Sequence, residues 1–159
     1  MAGAEDFDLV MAVIHADTDE VRSAHEAGVD LASVTTPGGS LFGWAAEWGR
    51  IEILAYLLAQ GIEADPMALS KAAHKGHVKT VRLLLDHGMH PDLPADWPPL
   101  CAAAVCGSPE CVQALLQAGA RVDVRTGPQA DRWSGKTPKE LAMMRPTEGT
   151  AEILRLLER

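Results

Sequence analysis

Trp44-Ala45-Ala46-Glu47-Trp48-Gly49, Lys71-Ala72-Ala73-His74-Lys75-Gly76 and Ala102-Ala103-Ala104-Val105-Cys106-Gly107 share one pattern: a pair of alanines, two variable residues and a closing glycine. A second glycine follows twelve residues later in each case, at Gly61, Gly88 and Gly119. Paired alanines let one helix lie close to its neighbour, and the glycine supplies the left-handed conformation that reverses the chain into a second helix. That second helix carries an apolar stripe at helical spacing, formed by Leu54, Leu57 and Leu58, then Val81, Leu84 and Leu85, then Val112, Leu115 and Leu116. Ser108 and Pro109 read as the N-cap and first-turn residues of the last of these helices.

Degenerate copies flank the three. Ala12, Ala16 and Gly28 keep the same offsets at the start, with Ala16 standing in the glycine place, and Thr137, Pro138, Ala142, Leu156 and Leu157 form a last copy. Successive glycine places lie 33, 27 and 31 residues apart, then 41 if Glu148 fills the final one. A helix pair recurring at this period is the mark of a repeat architecture. Ser40-Leu41-Phe42-Gly43, Pro98-Pro99-Leu100-Cys101 and Thr137-Pro138 stand just ahead of the first helices. In these features the chain resembles the ankyrin family, whose repeat of about 33 residues carries a T-P-L-H-x-A signature before a helix-turn-helix.

The resemblance spans essentially the whole chain. It implies an all-α ankyrin-repeat solenoid of stacked helix-turn-helix pairs with short finger loops, a single domain over 1–159 with approximate repeats 5–37, 38–64, 65–95, 96–132 and 133–159. End copies of such an array must tolerate solvent. In the first, the stripe thins to Val21, Ala24 and His25 among Asp19, Glu20, Arg22 and Glu26, and the last ends on the amphipathic run 151–159. Two caps lead us to expect a complete, monomeric protein.

Composition fits. A chain of 159 residues, 47% hydrophobic and 23% charged with mean hydropathy near zero, belongs with globular proteins. The acidic start lacks the basic region of a secretory signal, and no run approaches 18 apolar residues, so a cytoplasmic protein without a membrane partner is expected. Residues 1–65 hold twelve Asp and Glu against Arg22 and Arg50, a net −10, whereas residues 66–159 carry ten against twelve Lys and Arg, a net +2. This asymmetry would steer a basic protein toward the N-terminal part and repel nucleic-acid phosphates.

No chemistry gathers convincingly. Cys101, Cys106 and Cys111 match neither a disulfide framework nor a zinc ribbon, so reduced, mostly buried thiols are expected. A zinc site drawn from His74, His77, His87, His90, Cys101 and Cys106 competes with ordinary roles for each histidine. His77 follows the turn glycine, where the family commonly has a structural His, and His87 lies near a helix C-terminus that favours a cation. Cys106 has no nucleophile motif around it, and Gly38-Gly39 reads as a finger turn. Asp65, Asp92 and Asp123, each four places after a helix-ending glycine, read as turn caps. Neither catalysis nor a metal or cofactor is expected.

What the resemblance implies instead is a partner surface on the finger tips and on the two positions between each alanine pair and its glycine. Carried onto this chain, those are Thr36, Pro37, Glu47, Trp48, His74, Lys75, Asp96, Trp97, Val105, Cys106, Trp133, Ser134, Met144 and Arg145. Trp48, Trp97 and Trp133 are expected to form its energetic centre, because tryptophan is prominent among interface hot spots. Trp44 is expected in the core. The 27-residue spacing leaves Asp65 and Pro66 where a finger would project, and 126–136 enlarges another finger. The expected function is a protein-binding inhibitor that occludes a basic partner. Low Lys, no Asn and abundant Ala point to a GC-rich genome and a bacterial immunity protein neutralising a toxin. A scaffold or adaptor, or a kinase-regulating ankyrin protein, is the alternative.

Overall fold

A computed structural model describes residues 4–158, and the chain divides into two compact units, with the boundary in the sequence between Ala68 and Leu69. The first unit contains α1 (Ala4–Ile14), α2 (Thr18–Glu26), a hairpin of β1 (Thr35–Thr36) and β2 (Gly39–Ser40), α3 (Leu41–Glu47) and α4 (Ile51–Ala59). Helix α1 packs on α2 and α3, and α4 packs on α2 and α3. In the antiparallel hairpin Thr35 faces Ser40 and Thr36 faces Gly39.

The second unit holds α5 (Ala68–His74), α6 (Val78–Asp86), α7 (Pro99–Cys106), α8 (Pro109–Gln117), a 3-10 helix Pro128–Trp133, α9 (Pro138–Met144) and α10 (Thr150–Leu157). First helix packs on first helix (α7 on α9), and second on second (α6 on α8, α8 on α10). This is the all-α ankyrin-repeat fold that the pattern predicts. No helix among the described residues is long and apolar enough to cross a membrane.

The repeated hexapeptide owes its form to one turn. The amide after each glycine place donates back to the first alanine of its pair: Asp17 to Ala12 (2.8 Å), Arg50 to Ala45 (2.8 Å), His77 to Ala72 (3.0 Å) and Ser108 to Ala103 (3.3 Å). Such a bond satisfies a carbonyl at the helix end and requires a left-handed residue between. Gly49 adopts φ 65° and Ala16 φ 62°, so the alanine accepts the conformation that glycine takes elsewhere. Glu148 does not, although it holds the corresponding place. The last turn is built instead on Arg145 (φ −129°, ψ 73°) and Pro146, with Gly149 at φ −79°. Gly149 serves close packing, since a Cβ there would lie 2.4 Å from the Gly107 carbonyl.

Caps fall where the side chains allow them. Ser108 accepts from Cys111 N (3.2 Å), Ser40 from Gly43 N (3.0 Å) and Asp17 from Glu20 N (3.0 Å), while Thr137 and Glu140 form a reciprocal capping box. The outer-helix stripes sit one turn position earlier than the sequence reading has them. Ile53, Thr80 and Cys111 are buried beside Leu54/Leu57, Val81/Leu84 and Val112/Leu115, whereas Leu58, Leu85 and Leu116 are half-exposed. Thr80 carries a buried hydroxyl with no hydrogen-bond partner among the described residues.

Candidate protein-binding surface

In the first unit the hairpin finger is propped from beneath. The Thr36 hydroxyl accepts from Trp44 Nε1 (2.9 Å) and from Gly38 N (3.3 Å). A Cβ at Gly38 would lie 2.3 Å from the Trp44 ring, so only glycine lets the tip rest there. Trp44 is thus a half-buried strut for the finger rather than a core residue, and it leaves Pro37 exposed at the tip. At the end of α3, Glu47 is half-buried and Trp48 is 44% exposed.

Both arginines of this unit are occupied by its own structure. Arg50 donates to the Val13 carbonyl (3.1 Å) and to that of Ile14, with its guanidinium 6.0 Å from the Trp48 ring centre. Arg22 stands 5.1 Å over Tyr56, whose hydroxyl meets His25 Nδ1 at 2.8 Å. Against these, Asp8, Asp17, Asp19, Glu20, Glu26 and Asp30 are exposed along the first helix pair, and Glu52 and Glu63 along the second. The first unit thus exposes a surplus of carboxylates, and Trp48 is exposed at the end of α3.

In the second unit the fingers fold inward. Trp97 and Trp133, with Val124, pack against Cys101, Val105 and Leu141. The Ser70 hydroxyl, itself buried, donates to the Trp97 carbonyl (2.6 Å), and Gly127 N donates to the Asp96 carbonyl (2.8 Å). Buried Thr126 closes the base of the enlarged finger: its hydroxyl donates to the Trp133 carbonyl and accepts from Lys136 N (3.0 Å). Val105 is therefore only 3% exposed, and it leaves the set of partner-facing positions because two fingers lie over it. His74 is exposed with its ring edge-on to Trp97, centroids 6.5 Å apart; Lys75, Asp96, Ser134 and Arg145 are exposed and Cys106 is half-buried. Met144 is 50% exposed. Its neighbour Met143 is 60% exposed, and the alanine-pair rule missed it because it falls on the second alanine place.

His87 Nδ1 bonds the Leu83 carbonyl (2.9 Å), His90 Nδ1 accepts from Asp92 N (3.1 Å), and among the described residues no three His, Cys, Asp or Glu side chains converge as a metal set. Burial pushes the Cys101 thiol up to about 12 and the Cys111 thiol up to about 11. It also raises Cys106, against the lowering pull of Arg145 and Lys75. Asp65 and Asp92 do more than cap their own turns. Asp65 accepts from Met67 N (2.7 Å) and from Ser40 Oγ (2.5 Å), and Asp92 accepts from Arg121 N (2.9 Å), so each ties one finger to the next. An open groove of about 920 Å³ between 90–98 and 118–125 was not read from the sequence. Its cations are spent: Arg121 grips Asp123 through two 3.0 Å bonds, and Arg125 donates to the Gly135 carbonyl (2.8 Å) and lies 3.6 Å from Glu140.

Comparison with known proteins accords with this geometry. A family model described as ankyrin repeats, in three copies, matches residues 42–126. The chain is 25% identical over 143 residues to the E3 ubiquitin-protein ligase Ufd4 of Drosophila melanogaster, covering 89% of this chain and 4% of that protein. It is 30% identical over 93 residues to the palmitoyltransferase ZDHHC13 of Mus musculus, covering 54% of this chain and 15% of the relative. To the E3 ubiquitin-protein ligase hecd-1 of Caenorhabditis elegans it is 33% identical over 90 residues, or 54% of this chain and 3% of the relative. The chain thus spans a small part of each relative's length. With the family match extending over more than half of its residues, the chain belongs to the ankyrin-repeat family and is a protein–protein interaction module.

Proposed function

We propose that the protein acts as an inhibitor by occluding a partner with a basic surface, and that the first unit supplies the charged face. The observation that carries this reading is the surplus of exposed carboxylates along α1, α2 and α4, in a unit whose two arginines are held by its own carbonyls and aromatic rings. Trp48 adds an apolar anchor that a partner can cover, already oriented by Arg50. A standard interface takes about 800 Å² from each partner, roughly a tenth of this chain's 8360 Å². A face of that size held rigidly can cover an active cleft, and it needs no catalytic group of its own. An immunity protein that neutralises a toxin is the specific form we favour, in a monomeric, cytoplasmic chain.

Affinity capture from the source cell tests this, using wild type beside a variant with Asp19, Glu20, Glu26 and Glu52 changed to their amides. The reading predicts a basic protein retained by wild type and lost by the variant, and stoichiometric loss of that protein's activity on titration with this chain. Binding that leaves the activity intact would make the chain a scaffold instead.

A further inference from the structure

Helix α1 is apolar on two sides. Leu9, Val10, Ala12 and Val13 are buried, and the helix packs on α2, α3 and β1. At about 100° per residue, Phe7, Met11 and Ile14 fall together on the opposite side, at the i, i+4, i+7 spacing of one helical face. Phe7 is 60% exposed, and Met11 and Ile14 are half-exposed. A lone exposed phenylalanine would be ordinary. Three large apolar side chains in line form a stripe two turns long, roughly 10 Å.

Carboxylates stand at both ends of the stripe. Asp8, next to Phe7, is exposed, and so are Asp17, Asp19 and Glu20, which follow Ile14 in the turn and the first turn of α2. Arg22 is the single Lys or Arg in residues 1–30, and it lies over Tyr56. These charges select among occupants. Two copies meeting through this face would bring their Asp8 carboxylates, and two segments of net −10, against each other, which opposes a dimer. Nucleic-acid phosphates and anionic lipid headgroups are opposed in the same way.

Resting on the basic-partner reading above, we infer that the Phe7–Met11–Ile14 face of α1 docks an amphipathic helix of that partner, apolar on one side and flanked by lysines or arginines. Helices whose axes run about 8–10 Å apart interlock their side chains, and partner residues at i, i+3 or i+4 and i+7 match a stripe of two turns. Cations beside the partner's apolar line meet Asp8 at one end of the stripe and Asp17, Asp19 and Glu20 at the other. Burial of the stripe holds the partner helix, and the carboxylates set its orientation and exclude acidic helices. The resemblance to the repeat family placed no partner-facing residue on this helix, because it points to fingers and turns alone.

The test is fluorescence anisotropy with two labelled peptides of about 18 residues, or five helical turns, made of leucine and lysine in the same proportion. In one the leucines form a single helical face; in the other they are shuffled around the helix. Each is titrated against wild type, Phe7→Ser, Phe7→Leu and a variant carrying Asp8→Asn, Asp19→Asn and Glu20→Gln. Circular dichroism first establishes that the variants fold, as is expected at exposed positions. We expect the ordered peptide to bind wild type with a gain of helical signal, to weaken about tenfold or more with Phe7→Ser, and to bind Phe7→Leu nearly as well as wild type. The shuffled peptide should bind more weakly and ignore Phe7→Ser, and the amide variant should weaken both. If the ordered peptide depends on Phe7 but ignores the amides, helix docking stands and the acidic-face reading loses its support. If both peptides bind wild type equally, weaken with the amides and ignore Phe7→Ser, the inference is overturned and the acidic-face reading stands. The inference is also overturned if wild type ignores the ordered peptide, or if light scattering finds a wild-type dimer that Phe7→Ser dissolves.

Discussion

Replacing Ala16 by glycine should stabilise the protein. Ala16 is held at φ 62° by the bond from Asp17 N to the Ala12 carbonyl, in the turn that Gly49 makes at φ 65°. An L-residue with a Cβ pays roughly 1–2 kcal/mol for the left-handed region. Glycine gains extra freedom in the unfolded chain, which costs about 0.5–1 kcal/mol in return. The net gain is therefore about 0.5–1 kcal/mol, and for a chain of this length it corresponds to a rise in Tm of about 1–4 °C. The reverse changes calibrate it. Gly49→Ala should lose stability by a similar amount, and Gly107→Ala by more, because its new methyl would also meet Thr147 Oγ1 at 2.2 Å. Urea unfolding followed by circular dichroism gives the midpoints, and an unchanged slope shows that the effect is on stability. An Ala16→Gly midpoint equal to or below that of wild type would refute the assignment of this turn to the glycine place of the repeat.

Thr80→Val should raise stability by about 1 kcal/mol, since it removes a buried hydroxyl without a partner and keeps the shape, as a urea midpoint will show. Trp97→Ala should cost about 2 kcal/mol or more of folding stability, because its ring covers Cys101, Val105 and Leu141. Trp48→Ala should leave the thermal midpoint nearly unchanged and cost about 2 kcal/mol of partner binding, or thirtyfold in Kd. The backbone amide and hydroxyl of Thr137 hold the Glu140 carboxyl below its ordinary 4.5, so its contribution to stability is present above that pH and lost as pH falls through the lower folded value. Glu140→Gln should flatten this part of the acid-unfolding curve measured between pH 5 and 2, approximately the range in which carboxylates titrate.

The turns were legible because their chemistry is local. An alanine pair and a glycine at fixed offset encode one hydrogen-bonded reversal, and Ser108 and Thr137 announce their own caps. The outer-helix stripes were legible in two of their three residues each, since Ile53 and Cys111 are buried where Leu58 and Leu116 were expected: residues near the start of each helix share the buried face with the stripe at helical spacing. Contacts between distant segments were not legible at all. Nothing near Val105 says that Trp97 and Trp133 will cover it, and nothing near Trp44 says that its indole will hold Thr36. Glu148 kept its place in the count without the backbone that defines the place, because Pro146 and Gly149 offered another way around the turn. The charge asymmetry, by contrast, could be read directly, and the structure adds that Arg22 and Arg50 are engaged within the first unit.

The central claim is that an acidic face steers a basic partner onto the chain, and the association rate against ionic strength measures that claim most directly. Steering between unlike charges raises association from about 10⁵–10⁶ M⁻¹s⁻¹ toward 10⁸ M⁻¹s⁻¹ at low salt and is screened beyond about 8 Å at physiological salt. Stopped-flow mixing with the captured partner should therefore show a rate that falls about tenfold or more between roughly 0.02 and 0.5 M salt, with the dissociation rate changing far less. A rate flat across that range would contradict the account and leave the carboxylates of the first unit as a means of keeping the chain dispersed.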